Sequence, residues 1–388
     1  MNILFIPTKD PRLTNGGNEQ RTHLLWNALK SMGKVYTFMP NLPQSKTNEL
    51  IEGEHPIYMC KPIYSCKYRP SHILNTLSQY MTGMSLFSKW DTKIPKVDDI
   101  FSDVKFDIVV CRYIHNLLIY DFSNIAPLYI DVDDHPFQVF ETTRKVKLGR
   151  ILGKFSYLLL KNKIESILSK SSGGWIANKE QLKILPTNYA YLPNVPNSPS
   201  ERYNPYEADR CGLITIGVMS YPPNYQGVDR FIKEIWPVFH QKYPDVKYTI
   251  GGKGAPTSLA EQWNNVEGVR YVGFIDNLEK AYQHCLATVV PIDAGGGTCI
   301  KTLESLSYSR TCLSSAFGAR GFLDHAEDGR GGLHVYTSAN SFIGIFLSLQ
   351  DKELRLKQEN YSRDYITKYY SVDGFKKNVK EEIIICQK

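Results

Sequence analysis

The sequence predicts an α/β protein of two doubly wound parallel sheets, and three observations carry that expectation. Short β-rich apolar runs alternate with helical patterns along almost the whole chain, as they do when helices cover parallel strands. At 388 residues the chain exceeds one ordinary core, so two domains of about 150–200 residues are expected. The stretch "LPNVPNSPSERYNPYEADRCG" (192–212) is rich in Pro, Asn and Ser and has the composition of a linker. In such folds a ligand belongs at the carboxyl ends of the strands, here in a cleft between the domains.

The strands expected before the linker are "NILFI" (2–6), "VYTF" (35–38), "DIVVC" (107–111), "PLYIDV" (127–132) and "GWIA" (174–177). After it come "LITIGV" (213–218), "KYTIGG" (247–252), "ATVVPI" (287–292) and "TCLSS" (311–315). The first strand leads through a polar loop into "NEQRTHLLWNALKSMG". Leu25, Leu29 and Met32 share a helical face there, and Gly33 is placed to end the helix in a left-handed turn. Gly16 and Gly17 would let backbone approach a ligand at that helix start, although a plain surface loop is equally compatible. The dinucleotide fingerprint GxGxxG is absent from it.

Composition narrows the class without deciding it. Residues are 42% hydrophobic and 22% charged, and no run of roughly 18 apolar residues suggests a membrane span. Met1 enters "NILFIP" without a basic stretch or a small-residue cleavage site, so a cytoplasmic location is expected. The eight cysteines form no CxxC pair and read as reduced, mostly buried thiols. A net charge of +7 suits an anionic ligand or anionic lipid as well as nucleic acid.

The most informative stretch is "PIDAGGGTCIKTLE" (291–304). A buried-type strand ends in a turn from Asp293 to Gly297, then a helix begins with Ile300, Leu303 and Leu306 on one face. Gly295, Gly296, Gly297 and Thr298 would expose backbone N–H groups where the helix dipole favours an anion. Lys301 and Glu304 lie one turn apart. A lysine suits a phosphate as a point charge, and a carboxylate can accept two hydroxyl hydrogen bonds from a ribose diol. The segment fits a nucleoside diphosphate; an ordinary tight turn beside a Lys–Glu surface pair fits the same spacing.

The run "GGGTCIKTLESLSYSRTCLSSAFGARGF" (295–322) resembles the donor-site signature of GT-B glycosyltransferases of family 4. "IGVMSYPPNYQGVDRFIKEIWPVF" (216–239), "YTIGGKGAP" (248–256), "VRYVGFIDNLEKAYQHC" (269–285) and "GGNEQRTHLLWNALKSMG" (16–33) resemble further segments of that family, in family order. The resemblance implies two Rossmann-like domains with an interdomain cleft: an acceptor domain over 1–195, a nucleotide-sugar donor domain over 210–360, and helices at 361–388 returning to the first domain. It implies retaining, hexosyltransferase-like transfer from a UDP- or GDP-sugar, with no metal ion and no cofactor beyond that donor substrate. By position, Glu304 would hold the ribose and Lys301 the diphosphate. Gly273 and Phe274 would contact the base, Gly295, Gly296 and Gly297 would line the donor loop, and Asn224 and Lys253 would face the donor. Two departures stand out. Gly296 occupies a position where many members carry a second glutamate, with Asp293 a partial substitute. Asn224, Tyr225 and Gln226 stand where many carry an Arg and a Lys, so Lys253 or Arg320 would assist Lys301.

"YIDVDDHPFQVF" (129–140) gathers Asp131, Asp133, Asp134 and His135 at a strand end. Asp131 and Asp133 have the D-x-D form of a cation site, and Asx turns capping the strand are a second reading. By the resemblance, this strand end faces the donor sugar, with Asp133 at a position often held by histidine and His135 close by. Asp133, His135 and Lys301 are thus the catalytic-side candidates, and the catalytic effect would be mostly electrostatic.

"RKVKLGRILGKFSYLLLKNKIESILSK" (144–170) holds eight Lys and Arg against one acidic residue. Arg150, Lys154 and Lys161 lie on one helical stripe beside an apolar one. The stripe suits either the outer face of a core helix or an interfacial helix on anionic lipid. Nucleic acid is not an expected partner, because no stacking platform accompanies the charge. The expected function is therefore transfer of a sugar to a glycan or lipid-linked acceptor in capsule or lipopolysaccharide biosynthesis, in the cytoplasm or peripheral on the membrane's inner face. A non-catalytic glycan- or partner-binding relative and a GT-B nucleotide-sugar 2-epimerase are the alternatives.

Overall fold

Parallel strands flanked by helices build both halves of the computed structural model. It describes residues 1–14, 16–40, 48–60, 96–114, 116–117, 122–133, 135, 161, 163–206, 210–295, 298–322, 324–325 and 329–385. Two units emerge: residues up to Pro193 together with the helix Val372–Ile385, and Asn194–Ser371. Of the C-terminal segment 361–388, residues up to Ser371 belong to the second unit.

The first unit contains β1 (Asn2–Ile6), β2 (Lys34–Met39), β3 (Glu49–Ile51), β4 (Ile57–Met59), β5 (Ile108–Arg112), β6 (Leu128–Asp133), β7 (Gly173–Ile176) and β8 (Tyr189–Tyr191). They are ordered β3-β4-β2-β1-β5-β6-β7-β8, and β3 alone of the described strands runs antiparallel to its neighbour. The order reverses between β1 and β5, whose register pairs Ile3 with Ile108 and Ile6 with Cys111. Strands covered on both faces read as near-continuous apolar runs. Accordingly β5 is buried from Ile108 to Arg112 and β6 from Leu128 to Asp133.

The helix Gly17–Lys30 buries Leu25 and Leu29. Gly33 does not end it in a left-handed turn: the helix closes at Ser31 in ordinary right-handed geometry. Glycine is required at 33 for space, because a Cβ there would lie 2.1 Å from the Met1 carbonyl oxygen. The helix Val372–Ile385 packs against Gly17–Lys30 and receives a hydrogen bond from the Tyr129 hydroxyl at the Ile383 carbonyl, 3.3 Å.

The second unit contains β9 (Leu213–Ile216), β10 (Tyr248–Gly251), β11 (Val269–Gly273), β12 (Ala287–Val290), β13 (Thr311–Ser314) and β14 (Leu333–Val335). Their order is β11-β10-β9-β12-β13-β14, with every pairing parallel. The strand order reverses between β9 and β12, the position where open α/β sheets place their ligand crevice, at the strands' carboxyl ends. Phe231, Trp236, Phe239, Tyr248 and Phe342 interlock edge-on or tilted in the core.

The 192–212 stretch is not a free linker. Its described residues after Pro193 fold onto the second unit through Asn194, Asn197, Ser200 and Tyr203. Composition misleads here because the side chains of Asn194, Asn197 and Tyr203 and the Ser200 N–H are spent on partners distant in sequence.

Among the described residues no helix is long and apolar enough to cross a membrane. Arg150 and Lys154 lie outside the described residues. Lys161 is half-exposed and pairs with Glu165 at 3.6 Å.

Candidate functional site

In the second unit, glycines occupy the carboxyl edge of three adjacent strands: Gly217 after β9, Gly251 and Gly252 at β10, and Gly273 at the end of β11. Gly217 N–H donates to Gly251 at 3.0 Å and Gly252 N–H to Gly273 at 2.6 Å. A Cβ on Gly252, whose φ is +134°, would overlap the Gly217 carbonyl oxygen. Backbone therefore lies bare along this rim.

Lys301 reaches this rim from the helix Ile300–Ser307. A Cβ on Gly217 would stand 2.3 Å from Lys301 Cε and 3.3 Å from Asn224 Nδ2, so both side chains converge on that glycine. Asn224 Nδ2 donates to the Val218 carbonyl at 2.7 Å, which clamps the loop from β9 into the helix Pro222–Glu234. Its Oδ1 is buried and has no hydrogen-bond partner among the described residues.

Glu304 sits one helical turn beyond Lys301 and is 8% exposed. Its Oε1 accepts from the Tyr282 hydroxyl at 2.7 Å and its Oε2 from Asn197 Nδ2 at 3.2 Å. Burial pushes the carboxyl above its ordinary value, and those two hydrogen bonds with the Lys301 charge offset part of the rise. Thr298 is buried and accepts from Asn194 Nδ2 at 3.2 Å. Gly295 has a φ of +134°; Gly296 and Gly297 lie outside the described residues. Asp293 is paired with Arg230. Lys253 lies over the exposed Phe274 ring, 3.9 Å from its centroid, and Arg320 stacks on Phe317 at 3.7 Å.

In the first unit, Gly16 is the extended residue before the helix and Gly17 its first residue. That helix brings Arg21 to the carboxyl ends of β5 and β6. Arg21 Nη2 meets Asp131 Oδ1 at 2.7 Å, and Arg112 Nη1 meets Asp131 Oδ2 at 2.6 Å. Arg112 Nη2 reaches Asp133 Oδ2 at 3.0 Å, and the Tyr113 hydroxyl donates to the same oxygen at 2.6 Å. Two arginines and two aspartates thus close a buried group with no net charge.

Tyr113 and Asp133 both adopt left-handed backbone, with φ of 64° and 60°. A bulky residue there is uncommon, and such residues cluster at functional sites. Burial works to raise the Asp133 carboxyl, but the charges of Arg112 and Arg21 prevail, and it stays below its ordinary value. Asp131 and Asp133 are therefore arginine-paired carboxylates, which neither a cation site nor an Asx cap requires. Among the described residues no cluster of three His, Cys, Asp or Glu could hold a metal. Asp134 lies outside the described residues. The His135 N–H donates to Gln181 Oε1 at 2.8 Å, and burial lowers the pKa of its ring.

Arg21, Arg112, Tyr113, Asn197 and Tyr282 were not singled out by the sequence. A signal existed for two of them. Arg21 falls four residues before Leu25 on the apolar stripe, and Arg112 directly continues the buried run "DIVVC".

Residues 210–350 match the family model of glycosyl transferases group 1. A protein of Klebsiella pneumoniae described as "Uncharacterized 44.6 kDa protein in cps region" is 23% identical over 129 residues, 31% of this chain. The match spans 33% of that relative's length. Sucrose-phosphate synthase from Thermosynechococcus elongatus shares the fold with a TM-score of 0.68 at 13% identity, over 98% of this chain and 97% of that one. Anabaena HepE, solved in complex with UDP and glucose, gives a TM-score of 0.61 at 10% identity over 98% of each chain. The architecture is thus that of GT-B glycosyltransferases, two Rossmann-like parallel-sheet domains, with the group 1 match on the second.

Proposed function

We propose that this protein is a retaining glycosyltransferase that moves a sugar from a nucleoside diphosphate to a glycan or lipid-linked acceptor in surface-polysaccharide biosynthesis. The observation that carries the reading is the pair on the helix Ile300–Ser307. Lys301 lies against Gly217 at the reversal point of the sheet, and Glu304 is buried one turn behind it. In this reading Lys301 neutralises the diphosphate as charge collects on the leaving group, and Glu304 accepts from the ribose hydroxyls. Backbone at Gly273 and Phe274 receives the base. Asp133, held ionised by two arginines, suits accepting a hydrogen bond from a sugar hydroxyl and is too weak a base to take its proton. No metal ion is assigned a part, since the D-x-D carboxylates are spent on Arg21 and Arg112.

A panel of UDP- and GDP-sugars, assayed for hydrolysis and for transfer to lipid-linked acceptors, tests the reading. Turnover of one donor, with the anomeric configuration of the product kept, is expected. Tight nucleotide binding without turnover of any donor would instead identify a binder, and conversion of the donor sugar to its C2 epimer without an acceptor would identify an epimerase.

Gly217 gives a sharper check. An added methyl would meet Lys301 Cε, the far end of a flexible side chain, so Gly217→Ala displaces the lysine while the fold tolerates it. Nucleoside diphosphate affinity should fall about tenfold, the loss of one charge-assisted contact, with the melting temperature close to wild type. Gly252→Ala should by contrast lower the melting temperature, because its methyl meets the Gly217 backbone. Equal nucleotide affinity in Gly217→Ala and wild type would remove Lys301 from the diphosphate.

A further inference from the structure

We infer that Tyr282 and Asn197 are positioning residues that set the Glu304 carboxylate for the ribose diol; the inference rests on the nucleotide reading of the site just given. A carboxylate offers about four acceptor positions. Tyr282 takes one on Oε1 and Asn197 one on Oε2, which fixes the rotation of the group and leaves one acceptor position on each oxygen. Two acceptor positions on two oxygens match the spacing of a vicinal diol.

Both donors are themselves locked. The Tyr282 ring stacks on Tyr308 with centroids 4.4 Å apart and planes within 17°, and Tyr203 closes edge-on against Tyr308 at 5.3 Å. Arg310 Nε donates to the Tyr282 carbonyl. The Ser307 hydroxyl donates to the Asn197 carbonyl at 2.9 Å. Asn197 lies in the opening segment of the second unit, so that segment supplies part of the ribose-holding group. A rotamer held by packing and by a second layer of hydrogen bonds is what accurate recognition of a diol requires.

The test compares Kd by calorimetry for a nucleoside diphosphate and its 2′,3′-dideoxy form. UDP and GDP are both tried, and the tighter binder is carried forward. Wild type should prefer the ribose form. Tyr282→Phe keeps the stacked ring and removes one hydroxyl. It should weaken the ribose form about tenfold and leave the dideoxy form unchanged, which collapses the preference. Asn197→Ser should move the ratio in the same direction and serves if Tyr282→Phe proves unstable. A preference unchanged in both variants, or equal losses for both ligand forms, overturns the positioning role while the ribose assignment stands. If wild type binds neither nucleotide, or binds both forms alike, the underlying reading fails and the inference falls with it.

Discussion

Lys301→Ala and Glu304→Ala are each expected to weaken nucleoside diphosphate binding by about 10–100-fold, the range for losing a hydrogen bond to a charged group. The two losses have different origins. Lys301 contributes a charge against the Gly217 rim, so its effect should shrink as salt rises. Glu304 contributes acceptors inside a buried pocket that salt screens little, and its loss should persist at high ionic strength. Lys301→Ala should also slow transfer by about 10²–10³, because its contact strengthens as charge develops on the leaving diphosphate. Glu304→Gln is the informative companion. It retains shape and one carbonyl acceptor, yet presents an amide toward the Tyr282 hydroxyl or Asn197 Nδ2, so affinity should fall even though little volume changes. Calorimetric titration at two salt concentrations separates these cases. Unchanged affinity in both alanine variants would leave the donor site without its two named contacts.

The parts legible in the sequence are those where local pattern and tertiary role coincide. Strands such as β5 and β12 are covered on both faces, so their apolar runs are continuous and unmistakable. The edge strand β11 buries only Val269 and exposes Val272, so its apolar residues do not mark one face, and β3, β4, β8 and β14 have three residues each, too short to show a period. The Lys301–Glu304 spacing was readable because both residues lie on one short helix. Tyr282 and Asn197 were not, since they meet Glu304 from 22 and 107 residues away in sequence. The aspartates at the end of β6 were visible as a cluster, but their meaning was not. Without Arg21, 110 residues upstream of Asp131, they resemble a cation site or a turn. The arginines decide the matter, and each sits in an otherwise apolar stripe where a charge needs a partner.

That dependence predicts the second large effect. Arg112→Met should cost about 3–5 kcal/mol of stability, the penalty for removing one partner of a buried ion pair. Arg112 is fully buried and touches both carboxylates, with Nη1 on Asp131 and Nη2 on Asp133. Its Nε also donates to the Thr22 hydroxyl at 2.8 Å. Methionine fills much of the volume but leaves two aspartates sharing Arg21, which lies 2.7 Å from Asp131 and only 3.7 Å from Asp133. Urea unfolding followed by circular dichroism measures the loss, and a change below about 1 kcal/mol, the scale of an exposed pair, would mean that the group is solvated. The pH dependence supplies an independent sign. Because the folded-state value of Asp133 lies below its ordinary 3.8, its contribution to stability is complete above that pH and is lost as pH falls through the depressed value. Asp133→Asn removes this titration, so the variant's stability should decline less steeply with acid below pH 3.8 than wild type. An acid limb of equal slope in both proteins would show that the arginines do not depress the Asp133 carboxyl below its ordinary value.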